Sequence, residues 1–213
     1  MADSSPPSAR ALPITTLFVD IGGVLLGPGW GHVSRQLAAT TFGLDAADME
    51  QRHHLFFSTY ELGRLSLADY LRQVVFCRPR SFSEADFRAF MFAQSLPFPD
   101  MLALIPQLKA RYHLKIAVVS NEGRELNAHR IHTFGLAGFV DFFVSSSFVG
   151  LSKPDVDIFR LALDLAQVPA AQVLYLDDQP LFIGIAAGLG IQGICHVDYP
   201  STCTQLATFG LPL

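Results

Sequence analysis

Ile14-Thr-Thr-Leu-Phe-Val-Asp20-Ile-Gly-Gly-Val-Leu25 decides the fold. Residues 14–20 are a β-rich run that stops at an acid and a glycine pair, and its apolar side chains do not alternate with polar ones. Such a run suits a parallel strand covered on both faces. Residues 115–120, 139–145, 173–177 and 191–196 read the same way, with helical stretches near 123–135, 154–167 and 179–189 between them. Strand, helix, strand repeated in this manner predicts an α/β fold with a Rossmann-like, doubly wound parallel sheet.

One interval breaks that rhythm. About 95 residues separate the first strand from the second, far more than a crossover helix requires. Residues 32–42, 45–62, 66–76 and 83–92 carry apolar residues at helical spacing, with Ser66 and Ser83 as N-caps. Pro97-Phe-Pro99 then breaks the chain before a returning helix over 100–111. The expected organisation is a disordered tail over 1–13, a core made of 14–26 and 97–213, and an inserted all-helical cap over 27–96.

Composition narrows the partners. The 213 residues carry a net charge of −4, and charged residues make up 16%, against roughly 25% in an average soluble protein. The cations are scattered, which argues against nucleic acid. The three lysines are Lys109, Lys115 and Lys153, so each one stands out. Half the residues are hydrophobic, yet the best membrane candidate, 181–195, is short of the roughly 18 apolar residues a span needs and holds four glycines. The first thirteen residues have no apolar segment of a secretory signal. Cys77, Cys195 and Cys203 form an odd set, which suits a reducing cytoplasm with thiols buried as small hydrophobes.

In an open parallel sheet, ligands bind at the carboxyl ends of the strands. The residues there are Asp20, Ser120-Asn121, Lys153 after the third strand, and Asp177-Asp178. Asp, Ser and Asn often follow a strand only to cap the next helix. Lys153 resists that reading, because a lysine beside a Pro at the first helical position meets the positive end of the helix dipole and calls for a nearby anion. Adjacent Asp177 and Asp178 call for a cation in turn. Three carboxylates, a lysine and a hydroxyl suit magnesium and phosphate.

Four segments make the pattern specific: Phe18-Val-Asp20-Ile-Gly-Gly-Val-Leu25, Val118-Val-Ser120-Asn121, Leu151-Ser-Lys153-Pro154-Asp155, and Tyr175-Leu-Asp177-Asp178 with Ala187-Gly-Leu-Gly190-Ile191. Together they resemble, in order, the motifs of the haloacid dehalogenase-like hydrolases. Tyr60-Glu-Leu-Gly-Arg64-Leu-Ser66 resembles the helical caps of the epoxide-hydrolase-N-terminal-like and sugar-phosphatase-like members. The resemblance implies that Asp20 attacks phosphorus and forms an aspartyl-phosphate. It implies that Ser120 binds the phosphoryl oxygens, with the Asn121 backbone and the Gly22-Gly23 segment helping, and that Lys153 neutralises charge. Mg²⁺ would be held by Asp20, the Gly22 carbonyl and Asp178, with Asp177 behind them or acting through water. A Mg²⁺-dependent phosphatase acting on a small phosphorylated metabolite, such as a sugar phosphate, is the implied function.

The chain departs from the family at Gly22, where most phosphatases of this type carry a second Asp for acid–base work, typically worth 10²- to 10⁴-fold. A stable leaving group or a proton donor from the cap would compensate, with Tyr60, Glu61 and His32 as candidates. Phe182 stands where many relatives have an Asn that steadies the metal loop. Two other functions share these residues: a 2-haloacid dehalogenase, which uses an Asp nucleophile without metal, and a catalytically weak phosphate-ligand binding protein. Gly188-Leu-Gly190-Ile-Gln-Gly193 matches a dinucleotide fingerprint but follows a helix, so it reads as a helix end. His53-His54 and His129/His132 read as exposed helix faces, and Phe56, Phe57, Phe90 and Phe92 as candidates for a cap–core cleft. Oligomeric state stays open.

Overall fold

The computed structural model describes residues 12–213, so the expected tail falls almost wholly outside the described residues. Five parallel strands, β1 (Thr16–Val19), β2 (Lys115–Ser120), β3 (Phe142–Ser145), β4 (Val173–Asp177) and β5 (Gln192–Cys195), lie in the order β3-β2-β1-β4-β5. Ten helices are described: α1 (His32–Phe42), α2 (Ala46–Glu61), α3 (Leu67–Val74), α4 (Glu84–Ala93), α5 (Pro99–Tyr112), α6 (Arg124–Thr133), α7 (Ser146–Val149), α8 (Asp157–Ala166), α9 (Pro180–Ala187) and α10 (Tyr199–Thr208).

The absence of polar alternation in the strands has a direct cause. Leu17, Val19, Ile116, Val118, Leu174 and Leu176 pack beneath Leu104, Ile105 and Leu108 of α5 and Leu206 of α10. Their neighbours along each strand, Phe18, Ala117, Val119 and Tyr175, pack on Ile158, Phe159 and Ala162 of α8 and Ala186 of α9. Both faces are covered, so both need apolar side chains. The register Val19↔Val118 and Val19↔Leu176 sets Asp20 level with Asp177, next to the end of β2.

Between β1 and α5 the chain builds α1 to α4 around a separate aromatic cluster that includes Trp30, Tyr60, Tyr70 and Phe87 and also takes in Leu126 of α6. Ser66 caps α3 by accepting from Asp69 N at 3.1 Å, and Ser83 with Asp86 forms a reciprocal capping box on α4. The chain leaves and re-enters the sheet region at one place: Gly27 N donates to Leu96 O at 2.7 Å, and Leu26 bridges Pro97.

Several expectations are corrected. The helix expected from residue 154 starts at Asp157, because Asp155 N bonds Ser152 O and Asp155 Oδ1 accepts from Asp157 N, which closes a turn first. Lys153 therefore does not face the end of a helix. Residues 139–141 lie outside β3, with the Asp141 carboxylate accepting from Ile116 N and Lys109. His53 is buried, not on an exposed face, and Cys77 is exposed rather than packed inside. The glycine-rich segment at 188–193 ends α9, with Gly190 at φ 84°.

Candidate active site

The carboxyl ends of β1, β2 and β4, the segment before α8 and the end of α2 converge on a cleft of about 290 Å³. Asp20, Gly22, Ser120, Asn121, Lys153 and Asp178 line it from the sheet side, and Trp30, Phe57, Tyr60 and Glu61 from the helical side. Of the four phenylalanines expected at such a cleft, Phe57 lines it. Phe56 and Phe90 pack in the aromatic cluster, and Phe92 stacks on His129 at 4.5 Å.

Lys153 is the centre of the charge arrangement. Its Nζ lies 3.2 Å from Asp20 Oδ2 and donates to Asp177 Oδ2 at 2.7 Å, all three side chains being almost wholly buried. Burial opposes the lysine charge, but Asp20 and Asp177 outweigh it and raise its pKa, so the ammonium keeps its proton. The Asp20 carboxyl is pushed up to about 6, by burial first and by Asp177, against the pull of Lys153 and a hydrogen bond from Ser120. Beneath them, the Tyr175 hydroxyl bonds Asp177 and receives Lys153 Nζ at 3.1 Å. The Phe182 ring sits 4.8 Å from the same Nζ, so the residue that replaces the expected amide packs on the lysine through its π face.

Asp20, Asp177 and Asp178 can each offer an oxygen within 4.8 Å of the others. Hard oxygen donors of this kind suit Mg²⁺, which binds through one or two carboxylates and keeps several waters. Three carboxylates against one ammonium also leave a negative excess that a cation offsets. Asp177 already accepts from Lys153, Tyr175 and Gln179 N, so Asp20 and Asp178 have the capacity left for a metal. Gly23, at φ 82°, lies against Asp178: a Cβ there would stand 2.5 Å from the carboxylate carbon. Its N–H donates to Leu26 O at 2.7 Å, within its own loop.

Asn121 is held from both ends. Its Nδ2 donates to Lys153 O and its Oδ1 accepts from Lys153 N, each at 2.8 Å, which fixes the lysine backbone. Nδ2 also reaches Glu61 Oε2 at 3.4 Å. Of the three proton-donor candidates, His32 is largely exposed and pairs with Glu50, and the Tyr60 hydroxyl is driven far above its ordinary range by burial and Glu125. Glu61 stands in the cleft.

Three residues were not singled out by sequence reasoning. Glu122 is buried and paired with Arg130, which also donates to Ser95 Oγ at 3.0 Å and reaches Gly27 O at 3.4 Å. Ser146 joins α2 to the loop after β2, donating to Glu61 O at 2.7 Å and accepting from Glu122 N at 2.8 Å. Tyr175 reads as a strand core residue, and only its partner's burial reveals the hydroxyl's role.

Comparison with known proteins places these features in context. The sequence model described as haloacid dehalogenase-like hydrolase matches residues 14–189. Acyl-CoA dehydrogenase family member 10 of Mus musculus is 33% identical over 118 residues, which is 54% of this chain and 11% of that protein. The plasmid-borne phosphoglycolate phosphatase of Cupriavidus necator is 29% identical over 102 residues, 48% of this chain and 43% of that enzyme. The chain thus spans less than half of either relative. The HAD family enzyme bt-2542 of Bacteroides thetaiotaomicron, solved with magnesium and inorganic phosphate, superposes with a TM-score of 0.73 at 18% identity, covering 89% of this chain and 98% of that one. Among the described residues, no helix is long and apolar enough to cross a membrane.

Proposed function

The chain belongs to the haloacid dehalogenase-like hydrolases, and from that premise we propose that it is a Mg²⁺-dependent phosphatase of a small phosphorylated metabolite. The observation that carries this reading is Lys153 Nζ set between Asp20 and Asp177 beside Asp178, in the cleft between the sheet and α2. The likeness to a phosphoglycolate phosphatase supports the phosphoryl chemistry.

In this reading an Asp20 carboxylate oxygen bonds to phosphorus while the P–O ester bond breaks, giving an aspartyl-phosphate that water then hydrolyses to Asp20 and inorganic phosphate. Ser120, buried at the end of β2, donates to a phosphoryl oxygen. Lys153 offsets charge on both nucleophile and phosphate, held in place by Asn121. Asp20, the Gly22 carbonyl and Asp178 would hold Mg²⁺, with Asp177 behind. When bound, the metal neutralises phosphoryl charge. Most of the catalytic gain comes from positioned charge, as phosphoryl transfer requires. Residues 27–96 serve as a cap that closes the cleft and selects the substrate.

The experiment is a phosphometabolite hydrolysis panel, sugar phosphates included, with and without Mg²⁺, on the parent and Asp20→Asn. Hydrolysis that needs Mg²⁺ and is lost in Asp20→Asn is expected. A silent panel, or an Asn variant as active as the parent, rejects the assignment and leaves a phosphate-ligand binder. A 2-haloacid dehalogenase would use the same carboxylate at carbon, and the side-chain-free Gly22 is compatible with it. The acidic trio opposes a carboxylate substrate without a cation. Chloride release from 2-chloropropionate in EDTA would establish that alternative.

A further inference from the structure

Breaking a phosphate ester leaves an alkoxide or phenoxide that needs a proton, and the cleft must supply it. Gly22, two residues after the nucleophile, has no side chain to do so. Sterics do not explain that glycine: its φ is unexceptional, and an added Cβ would meet nothing nearer than Arg130 Nη1 at 3.9 Å. An acid there would lie beside a guanidinium that favours its ionised form, which is the wrong state for a donor.

We propose that Glu61, at the end of α2, is the general acid and base of this site. The inference rests on the phosphatase reading above. Its support is geometric. The Glu61 backbone is pinned to the core by Ser146 Oγ at 2.7 Å, its carboxylate meets Asn121 Nδ2 at 3.4 Å, and Asn121 in turn grips Lys153. The proton donor and the charge-neutralising lysine are thus held through one amide. Of the other titratable groups lining the cleft, Arg35 pairs with Glu50, Glu122 with Arg130, and Lys153 with Asp20 and Asp177; Asp178 belongs to the acidic trio, and burial and Glu125 hold the Tyr60 hydroxyl protonated. Burial, Glu122 and Asp20 push the Glu61 carboxyl up to about 7 against the pull of Lys153, so both protonation states are populated near neutrality.

The step balances without a further reagent. As the Asp20 oxygen bonds to phosphorus, the ester P–O bond breaks, and its electron pair takes the proton from the Glu61 carboxyl. The resulting Glu61 carboxylate then removes a proton from the water that hydrolyses the aspartyl-phosphate, which restores the acid and releases inorganic phosphate.

The test compares kcat/KM for the parent, Glu61→Gln and Asp20→Asn, in excess magnesium chloride, over aryl phosphates from 2,4-dinitrophenyl to phenyl and one alkyl phosphate. Glu61→Gln should lose on the order of 100-fold on phenyl and alkyl phosphates, yet less than about threefold on the dinitrophenyl ester, whose leaving group needs no proton. The alkaline limb of kcat/KM near pH 7 should disappear for the poor leaving groups. The ratio across leaving groups is internal to each protein, so partial misfolding does not mimic it. With Asp20→Asn silent, a Glu61→Gln loss that is uniform across the series, or no loss, overturns the role of Glu61 and leaves the phosphatase standing. An active Asp20→Asn, or an inert parent, overturns the phosphatase and this inference with it.

Discussion

Lys153 shows how much a single residue holds together here. It is the only cation touching Asp20 and Asp177 among the described residues, and all three are buried. Removing one member of a buried ion cluster strands the others, at a typical cost of 3–5 kcal/mol. Lys153→Met should lower unfolding free energy in urea by about that much, and adding Asp177→Asn should restore part of it. The sequence singled out Lys153 through its rarity, but the reason offered, a clash with a helix dipole, fails because α8 starts four residues later. Asp20, Ser120, Asp177 and Asp178 were legible because each ends an apolar run. Glu122 was not: an acid just before a helix is ordinary, and its partner Arg130 is brought to it by the fold rather than by adjacency in sequence.

At the scale of elements, α2 carries two groups whose pKa values both fall on folding, in different pH windows. The His53 imidazole, buried and bonded to Tyr70 Oη at 2.7 Å, is pushed down to about 4, mainly by burial and then by Arg35. Glu50 is pulled down to about 2, chiefly by its hydrogen bonds from Arg35. For each, the folded chain binds protons less readily than the unfolded chain, so stability is complete above the unfolded pKa and falls as pH drops. His53 acts between about 6.5 and 4, and Glu50 between about 4.5 and 2. Thermal midpoints should therefore decline in two stages on acidification; His53→Gln should flatten the upper stage and Glu50→Gln the lower. The helices themselves were readable wherever a cap and a period coincided, as at Ser66 and Ser83. α7 is too short to show a period, and α10 is rich in Ser and Thr with only Thr202 and Leu206 buried, although Asp198 and Pro200 mark its start.

For the whole molecule, the doubly wound sheet was legible because strands buried on both faces leave an unmistakable apolar record, and the long interval after β1 announced the helices between. The cleft was not, since periodicity does not say which face of α2 turns toward the sheet. The hydrogen bond from Gly27 N to Leu96 O, which gathers both ends of that interval into one doorway, has a kinetic consequence. β1 must find β2 across some 95 residues, and each doubling of a flexible loop adds only about 0.6 kcal/mol of closure entropy, while long-range pairing slows folding. Helices α1 to α4 make mostly local contacts and can form first, drawing the two strands together like the closed neck of a bag. In pulsed hydrogen exchange during refolding, amides of α1 to α4 should gain protection before those of β1; simultaneous or reversed protection would contradict that order. What looks like an interruption of the sheet is, in time, the device that lets its central strand find its neighbour.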